Sequence, residues 1–423
     1  MRRAARFASA SLLLTLLVTG CGGPPRDVAS GAGALEGDGA LSFLASRLIP
    51  WPASGPGLLA VTDRDTGRVA IYDSALVALV MLRSGRLDEA ARLLVGLAAL
   101  QREDGSLPFS LVPAEGRAAP HYVRSGAIAW VGYAAAEVLD GGAAGGHRDA
   151  IANLAHRAAG FLLLHQVNKA GDPRDGLVMG GSGSFRYEVR RGRVVETFVP
   201  GDVVFASTEH NIDAFFFLRR FARVSGDARY RLAADRIADA LGSRMFAAER
   251  GQLVGGVSKD GVDGALPLDC ASWGAAFFAA VGDRARADTS YAVSDARYLA
   301  NDPQSRAVGH RPYANGIILE SAVLRARYAA SLQTERWENL AAVWPEGTAG
   351  VAFAALRTGR PERARALLEG LEPLRRGGAL PTFTLDIPFL FDTKASIAGT
   401  AWAELVRFDL ARLPASPTLL VAE

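Results

Sequence analysis

The chain has 423 residues, of which 49% are hydrophobic and 22% are charged. Its 47 Lys and Arg exceed its 44 Asp and Glu only because of Arg2, Arg3 and Arg6, so the chain beyond residue 20 is electrically balanced. Bulk charge therefore gives no support to nucleic acid or another polyanion as a partner. Cys21 and Cys270 are too few for a cysteine-based zinc site, and we expect neither a metal nor a cofactor.

The first 40 residues are typical of an exported, lipid-anchored protein. Residues 1–20 have a basic start and a short apolar run, as in a secretory signal peptide. They end in Val-Thr-Gly before Cys21, which resembles the bacterial lipobox and predicts lipidation of that cysteine. Residues 21–40 are rich in Gly and form the expected flexible tether. We expect attachment to the cell envelope, with Gly22 favouring the outer membrane, and an ordinary signal peptide is the alternative.

The rest of the chain repeats one unit, in which an apolar helix opens on polar or acidic residues, a second helix returns, and a Gly-rich turn follows. The openings lie at residues 71–74, 123–126, 207–213, 268–273, 343–348 and 396–402. Such a repeat predicts stacked helical hairpins whose inner helices all begin at one rim. That rim would collect most of the acidic and aromatic residues of the openings.

The two helices of each predicted hairpin differ in polarity. In the first, the inner stretch 75–82 is apolar on every side and should be buried all round, whereas the outer stretch 87–101 has an apolar stripe that includes Leu87. The same contrast pairs 127–138 with 147–165, 214–224 with 228–245, and 349–356 with 361–374. Glycines in the connectors are expected to end the inner helices in a left-handed conformation. Residues 283–312 are polar and predict an irregular rim insertion.

Over residues 41–410 this organisation resembles the six-hairpin glycosidase superfamily, and more closely its uncharacterised bacterial lipoproteins. The resemblance is carried by Tyr72–Leu76, Gln101–Ser106, Ser207–Asp213, Trp344–Thr348 and Ala398–Trp402. It implies an all-α (α/α)6 toroid at residues 41–412, with short strands in the rim loops, and a C-terminal tail at 413–423. Superfamily members include glycoside hydrolases and uronate-type polysaccharide lyases.

Three acidic residues at the helix openings are candidates for catalysis. Inverting glycosidases need one protonated carboxyl to donate to the leaving oxygen and one carboxylate to activate water. We predict that Glu209 is the general acid, and that Asp73 or Glu346, held ionised by its own helix N-terminus, is the base. The structural alternative is that each acid only complements its helix dipole.

Other residues of the openings are predicted to bind the sugar. Polar side chains crowd into one helical turn just before the apolar run at Phe215, where packing alone gives no reason for them. Aromatic rings at a rim suit stacking on pyranose rings, although tryptophan is also ordinary filler of a helical core. Trp130 and Trp402 lie deeper in their helices and favour that second role. The predicted binding residues are His210, Asn211, Asp213, Asp269, Trp273, Trp344, Tyr72 and Arg124.

Together these features favour an envelope-anchored glycoside hydrolase that acts on an oligo- or polysaccharide by carboxylic acid/base catalysis. One alternative is a lyase on a uronate polymer, which would use a Tyr or His base and a neutraliser of the uronate carboxylate. His210, Asn211, Tyr313 and Arg124 are the candidates for these roles. The other is a non-catalytic toroid that binds glycans or polysaccharide-assembly partners. Both alternatives stay open at this point.

Overall fold

The computed structural model describes residues 39–52, 55–113, 121–413 and 419–420. Cys21, the predicted signal peptide and nearly all of the tether lie outside the described residues. The described residues form thirteen α-helices: α1 Gly39–Ala45, α2 Ile71–Arg83, α3 Leu87–Ala98, α4 Ser125–Asp140, α5 Arg148–His165, α6 Thr208–Ser225, α7 Ala228–Ala240, α8 Leu268–Ala280, α9 Arg284–Arg297, α10 Ala322–Tyr328, α11 Pro345–Arg357, α12 Pro361–Leu371 and α13 Ile397–Ala411. None of these helices is long and apolar enough to cross a membrane.

Antiparallel strands, most of them two to four residues long, connect the helices. They are β1 Leu48–Trp51, β2 Gly57–Asp63, β3 Arg68–Ala70, β4 Ser110–Leu111, β5 Val123–Arg124, β6 Gly181–Arg190, β7 Arg193–Val203, β8 Ala206–Ser207, β9 Phe246–Ala247, β10 Gln252–Leu253, β11 Gly256–Ser258, β12 Gly261–Val262, β13 Leu299–Asp302, β14 Ala307–His310, β15 Leu380–Pro381 and β16 Ala395–Ser396. Their largest sheet has the order β1-β2-β3-β4, and two three-stranded sheets have the orders β5-β6-β7 and β8-β11-β12.

Six inner helices close a ring. Helix α2 packs on α4, α4 on α6, α6 on α8, α8 on α11, α11 on α13, and α13 returns to α2. Helices α3, α5, α7, α9 and α12 each pack outside the inner helix that precedes them, and the short α1 packs against α13. This arrangement confirms the predicted (α/α)6 toroid.

Burial follows the predicted polarity of the two layers. Every residue of α4 from Ser125 to Leu139 is buried, as is every residue of α2 from Ile71 to Met81. The outer helix α3 is amphipathic and buries residues such as Leu94 and Leu97. Leu87 was predicted in that apolar stripe, but it is the first residue of α3 and its side chain is 46% exposed. Gly226 ends α6 with φ 72°, the left-handed conformation expected of a connector glycine.

Two rim segments differ from the sequence-based expectation. Residues 284–297, predicted to be irregular, form α9, whose N-cap Asp283 accepts a hydrogen bond from the Arg286 N–H. The strands β6 and β7 are 10 and 11 residues long, whereas the prediction was of short strands. They form one antiparallel hairpin in which Gly181 faces Val203 at the root and Arg190 faces Arg193 at the tip.

Candidate active site

A cavity opens at the rim where the inner helices begin. The cavity and the open solvent at its mouth together contain about 1220 Å³ of empty space. Its walls come from the first turns of the inner helices, because each opening places its side chains around the same axis. The lining residues singled out by the sequence are Tyr72, Arg124, Glu209, His210, Asp213, Asp269, Trp273, Trp344 and Glu346.

Four of these lining residues are carboxylic acids, and they come from three helices. Glu209 and Asp213 lie one turn apart on α6, Asp269 is in the first turn of α8, and Glu346 is in the first turn of α11. Asp213 is 5% exposed, whereas the other three acids are partly accessible from the cavity. The toroid therefore brings several acids into one space, as a carboxylic acid/base site requires.

The pKa values of these acids are all raised. Burial raises the pKa of Glu209 well above its ordinary value, and the charges of Asp213 and Glu346 raise it further. Burial, with the charge of Asp269, likewise raises the pKa of Asp213, and burial with the charge of Glu209 raises that of Asp269. Like charges in a low-dielectric space cannot all be ionised together, so at neutral pH the cavity retains protons.

Glu346 is held by a chain of hydrogen bonds. The Tyr72 hydroxyl donates to Glu346 Oε1 at 2.8 Å, and Trp402 Nε1 donates to the Tyr72 hydroxyl oxygen at 2.8 Å. Burial raises the pKa of Glu346 to about 8, while the bond from Tyr72 opposes that rise. We predicted that the helix N-terminus would hold Glu346 ionised, but the cost of burying its charge outweighs that effect.

The inner wall of the cavity is aromatic. Trp130, Trp273, Trp344 and Trp402 all line it. Trp402 packs edge-on against Trp273, with ring centroids 4.8 Å apart, and against Trp130 at 5.3 Å. Trp273 Nε1 donates to Asp213 Oδ1 at 3.2 Å. Sequence reasoning favoured a core role for Trp130 and Trp402, and both are buried in the core, yet both also line the cavity.

Glycines make room for these rings and for His210. A Cβ added at Gly126 would lie 2.5 Å from the His210 ring, and one at Gly347 would lie 2.2 Å from the ring of Trp344. One at Gly350 would lie 3.0 Å from the Trp273 ring. Glycine inside a helix costs up to about 1 kcal/mol relative to alanine, so these glycines were a sequence signal that we did not use.

Two of the predicted residues have mainly structural contacts. Asn211 does not line the cavity: its Oδ1 accepts from the Val178 N–H at 2.7 Å, and its Nδ2 donates to the carbonyls of Val178 and Ser207. Arg124 lines the cavity, but its Nη1 donates to the carbonyls of Val123, Ser182 and Gly183.

His210 is buried and lies within 3.3 Å of the Ser125 hydroxyl through its Nδ1. Burial, with the charge of Arg124, lowers the pKa of His210 to about 3, so its imidazole is neutral at physiological pH. A neutral imidazole offers one donor and one acceptor, which suits contacts with sugar hydroxyls.

Asp73 lies on the far side of Tyr72 from the main cavity. It lines a second, smaller pocket of about 570 Å³ together with Thr62, Arg68 and Lys394. Tyr72 and Glu346 line both spaces and form part of the wall between them. Asp73 is 5% exposed, and burial raises its pKa. The structure thus separates Asp73 from Glu209 by the wall that contains Glu346.

Among the described residues, no group of three or more His, Cys, Asp or Glu side chains is arranged to hold a metal ion.

The cavity also contains residues that sequence reasoning did not assign to it. Phe391 comes from a rim loop, and Val203 and Phe205 come from the end of β7 and the segment after it, whereas Tyr313, which also lines the cavity, was a candidate under the lyase alternative. Loop residues of this kind carry no helical periodicity that could place them.

No protein-family model matches the sequence, and no curated protein matches it. Solved structures with the same fold include a D-mannose isomerase, at 13% identity and a TM-score of 0.58 over 88% of this chain and 93% of that chain. A glycosidase solved in complex with glucose aligns at 11% identity and a TM-score of 0.59 over 89% of this chain and 96% of that chain. An alpha-mannanase of glycoside hydrolase family 76 from Bacteroides thetaiotaomicron aligns at 12% identity and a TM-score of 0.52, covering 86% and 92%.

These likenesses establish the fold at the level of architecture. The chain shares the (α/α)6 toroid fold of these structures, and its carboxyl-rich, aromatic cavity lies at the rim where the inner helices begin.

Proposed function

We propose that the protein is a glycoside hydrolase in which Glu209 is the general acid and Glu346 the base that activates water. The observation that carries this proposal is the position of two glutamates from separate inner helices in one aromatic-lined cavity. Carboxyl pairs of this kind are the catalytic groups of most glycosidases. The glycosidases and the sugar isomerase that share the fold support a carbohydrate substrate.

The surroundings of Glu209 suit a general acid. Burial and the charges of Asp213 and Glu346 all raise its pKa, so the carboxyl keeps its proton at the pH at which it must donate one. Asp213 lies one helical turn away and is itself oriented by the Trp273 indole. An acid with a raised pKa can protonate the glycosidic oxygen as the bond to the anomeric carbon breaks.

The surroundings of Glu346 suit a base. Its Oε1 accepts a hydrogen bond from the Tyr72 hydroxyl, which favours the ionised form of the carboxyl. The Trp402 indole donates to the same hydroxyl oxygen and strengthens it as a donor. Glu346 also lines the second pocket, which gives water an approach that the sugar in the main cavity does not block.

The charge of the cavity favours a neutral sugar over a uronate. Four carboxyls line it, and Arg124 is the one cationic residue among its described lining residues. The Arg124 guanidinium is engaged by three backbone carbonyls and lies over the Tyr122 ring, with 4.1 Å between its carbon and the ring centroid. A lyase needs cationic groups to neutralise the uronate carboxylate, so a single arginine among four carboxyls supports hydrolysis rather than elimination.

A panel of nitrophenyl glycosides of neutral hexoses and deoxyhexoses, in both anomeric forms, tests the proposal. We expect the purified protein to release nitrophenol from at least one of them. A matched sample of the Glu209→Gln/Glu346→Gln protein, which keeps the shape of the cavity, is the control. Binding of a sugar without release from any glycoside would instead support the alternative of a non-catalytic glycan-binding toroid.

We further propose that the mature protein begins at lipidated Cys21 and is attached to the bacterial envelope, with the outer membrane favoured. The lipobox-like sequence before Cys21 supports this, as does the Gly-rich tether that follows. Cys21→Ala should move the protein from the membrane pellet to the soluble fraction, because the variant cannot carry the acyl chains that would anchor it. Stable anchoring needs two or more such chains. Wild-type protein that carries no lipid, or a variant that stays in the pellet, would refute this anchoring.

A further inference from the structure

The long hairpin β6–β7, residues Gly181–Val203, is here called the arm. Its root forms part of the cavity wall, since Gly181 pairs with Arg124 in β5 and Val203 lines the cavity. From this root the arm extends to a two-residue turn at Arg191 and Gly192, both with positive φ, which is the tight turn that twisted hairpins favour. The arm leaves the ring between the second and third helical hairpins.

The far end of the arm contacts a loop from the opposite side of the ring. The Tyr187 ring lies edge-on to the Phe389 ring, with centroids 5.1 Å apart. Phe389 belongs to the connection between α12 and α13, that is, between the fifth and sixth hairpins. In a closed ring of six hairpins, this junction is diametrically opposite the one from which the arm departs. The arm therefore lies across the mouth of the toroid.

The same loop also forms part of the cavity wall, so the contact lies above the cavity. Thr382 and Phe391, on either side of Phe389 in sequence, line the cavity. Phe389 has φ 65°, an unfavourable backbone conformation for a bulky residue. A tight turn keeps it there: the Ile387 N–H donates to the Phe391 carbonyl, and the Phe391 N–H donates to the Ile387 carbonyl. A residue held in such a conformation is often held there for a functional reason.

Two further contacts make the crossing firm. Tyr328, the last residue of α10, lies with its ring centroid 6.0 Å from that of Phe389, so a third rim element joins the contact. At the root, the Phe185 ring packs on Tyr122 at 5.0 Å and on Phe198 at 5.6 Å. Along β6, Phe185 and Tyr187 are half-buried while Ser184 and Arg186 are exposed, so the aromatic side chains share the inner face of the arm.

We propose that the arm limits the catalytic cavity to the free end of a glycan, so that the protein removes a terminal neutral sugar and does not cut within a chain. An internal bond reaches the two carboxyls only if the chain runs across the mouth on both sides, and the contact between Tyr187 and Phe389 occupies that path. A terminal sugar needs a single opening. Tyr187 and Phe389 thus set the size of the substrate, and this inference rests on the proposed glycosidase function.

Binding, measured separately from hydrolysis, tests the inference. The probes are trisaccharides of glucose and of mannose, each with its non-reducing terminal sugar either free or capped by a benzylidene group. They are titrated into the Glu209→Gln protein, which should bind without turnover. We expect the free trisaccharide of at least one sugar to bind at least about tenfold more tightly than its capped form, because the cap collides with the arm or its partner loop.

Removing the contact should abolish this preference. In the Tyr187→Ala/Phe389→Gly variant, made in the same Glu209→Gln background, the affinities for free and capped probes should become equal within about threefold, a difference of less than 1 kcal/mol. Val189→Ala, a matched substitution of a side chain on the arm that is 61% exposed, should keep the preference. Equal binding of free and capped probes before the contact is removed would overturn the inference, as would a preference that survives its removal.

These outcomes separate the inference from the proposed function. In one outcome the free probes bind, the capped probes do not, and the wild-type protein releases no sugar from the free probes. This outcome would refute the proposed hydrolysis and support the inference that the cavity recognises a free chain end. If the wild-type protein hydrolyses free and capped probes equally well, hydrolysis stands and end recognition fails. A limited proteolysis comparison checks that the double variant is folded outside the arm.

Discussion

Replacing Glu209 by glutamine is expected to lower kcat by at least about 100-fold on any substrate with a poor leaving group, the usual contribution of a general acid. Glutamine keeps the shape and the neutral charge of the protonated carboxyl but has no acidic proton to donate. Because the pKa of Glu209 is raised in the folded protein, its side chain is held neutral where the unfolded chain would ionise it. That difference lowers the stability of the wild type as pH rises above the ordinary carboxyl range, so the variant should be at least as stable at neutral pH.

The dependence on the leaving group distinguishes lost acid catalysis from a damaged fold. The dinitrophenolate leaving group departs without protonation. The rate at which Glu209→Gln hydrolyses a dinitrophenyl glycoside should therefore fall much less than its rate on the matching alkyl glycoside. A damaged cavity would slow both substrates alike. Equal loss on both, or a melting temperature that falls together with activity, would identify Glu209 as a structural residue of the α6 N-terminus.

Replacing Glu346 by glutamine is expected to lower kcat/KM by at least about 100-fold, because the attacking water loses the base that activates it. Glu346 must be ionised to take a proton from water, and its pKa is raised to about 8. The wild-type kcat/KM should therefore rise with pH as this carboxyl loses its proton, giving an acidic limb well above the ordinary carboxyl range. Glu346→Gln should lose this limb, because the titrating group has been removed, and an activated leaving group should not rescue it.

Two further substitutions should move the acidic limb in opposite directions. Tyr72→Phe removes the hydroxyl that stabilises ionised Glu346, so the pKa of Glu346 should rise and the limb should shift to higher pH. Asp73→Asn removes a nearby charge that raises the pKa of Glu346, so the limb should shift to lower pH. A kcat/KM profile that both variants leave in place, or that both move in one direction, would show that Glu346 is not the titrating base.

The general position of the site could be predicted from the sequence. Each inner helix is apolar throughout, so its polar opening has no place in the core and must lie at an end of the toroid. The repeat places all of those ends at one rim, and Glu209, Asp213, Asp269 and Glu346 meet there. What could not be predicted is which side of each opening faces the axis, because that depends on how the inner helices are rotated in the ring.

Asn211 and Asp73 illustrate that rotation. Successive residues of an α-helix are about 100° apart, so Asn211, two residues after Glu209, points to the opposite side of α6. It meets the backbone of Val178 there and not the cavity. Asp73 follows Tyr72 by one residue and lies in the second pocket, while Tyr72 reaches both spaces. Proximity in sequence was thus a poor guide to a shared site.

The arm had a recognisable signal that was not used. Apolar side chains alternate with polar ones along the stretch that contains Phe185 and Tyr187, and apolar side chains return toward Phe198. Arg191 and Gly192 form the turn between the two stretches. Such alternation around a two-residue turn is typical of a β-hairpin. Its contact with Phe389 could not be predicted, because the two segments are about 200 residues apart and meet only when the ring closes.

The central claim is that Glu209 and Glu346 together hydrolyse a glycosidic bond, and proton NMR of the reaction tests it most directly. The probe is the nitrophenyl glycoside that the wild-type protein cleaves fastest, followed in time at the anomeric protons. We predict that the wild type yields a free reducing sugar and nitrophenol, and that the Glu209→Gln/Glu346→Gln protein, shown by titration to bind the same glycoside, yields neither. Hydrolysis that persists in the double variant would contradict the account, as would vinyl protons from an elimination.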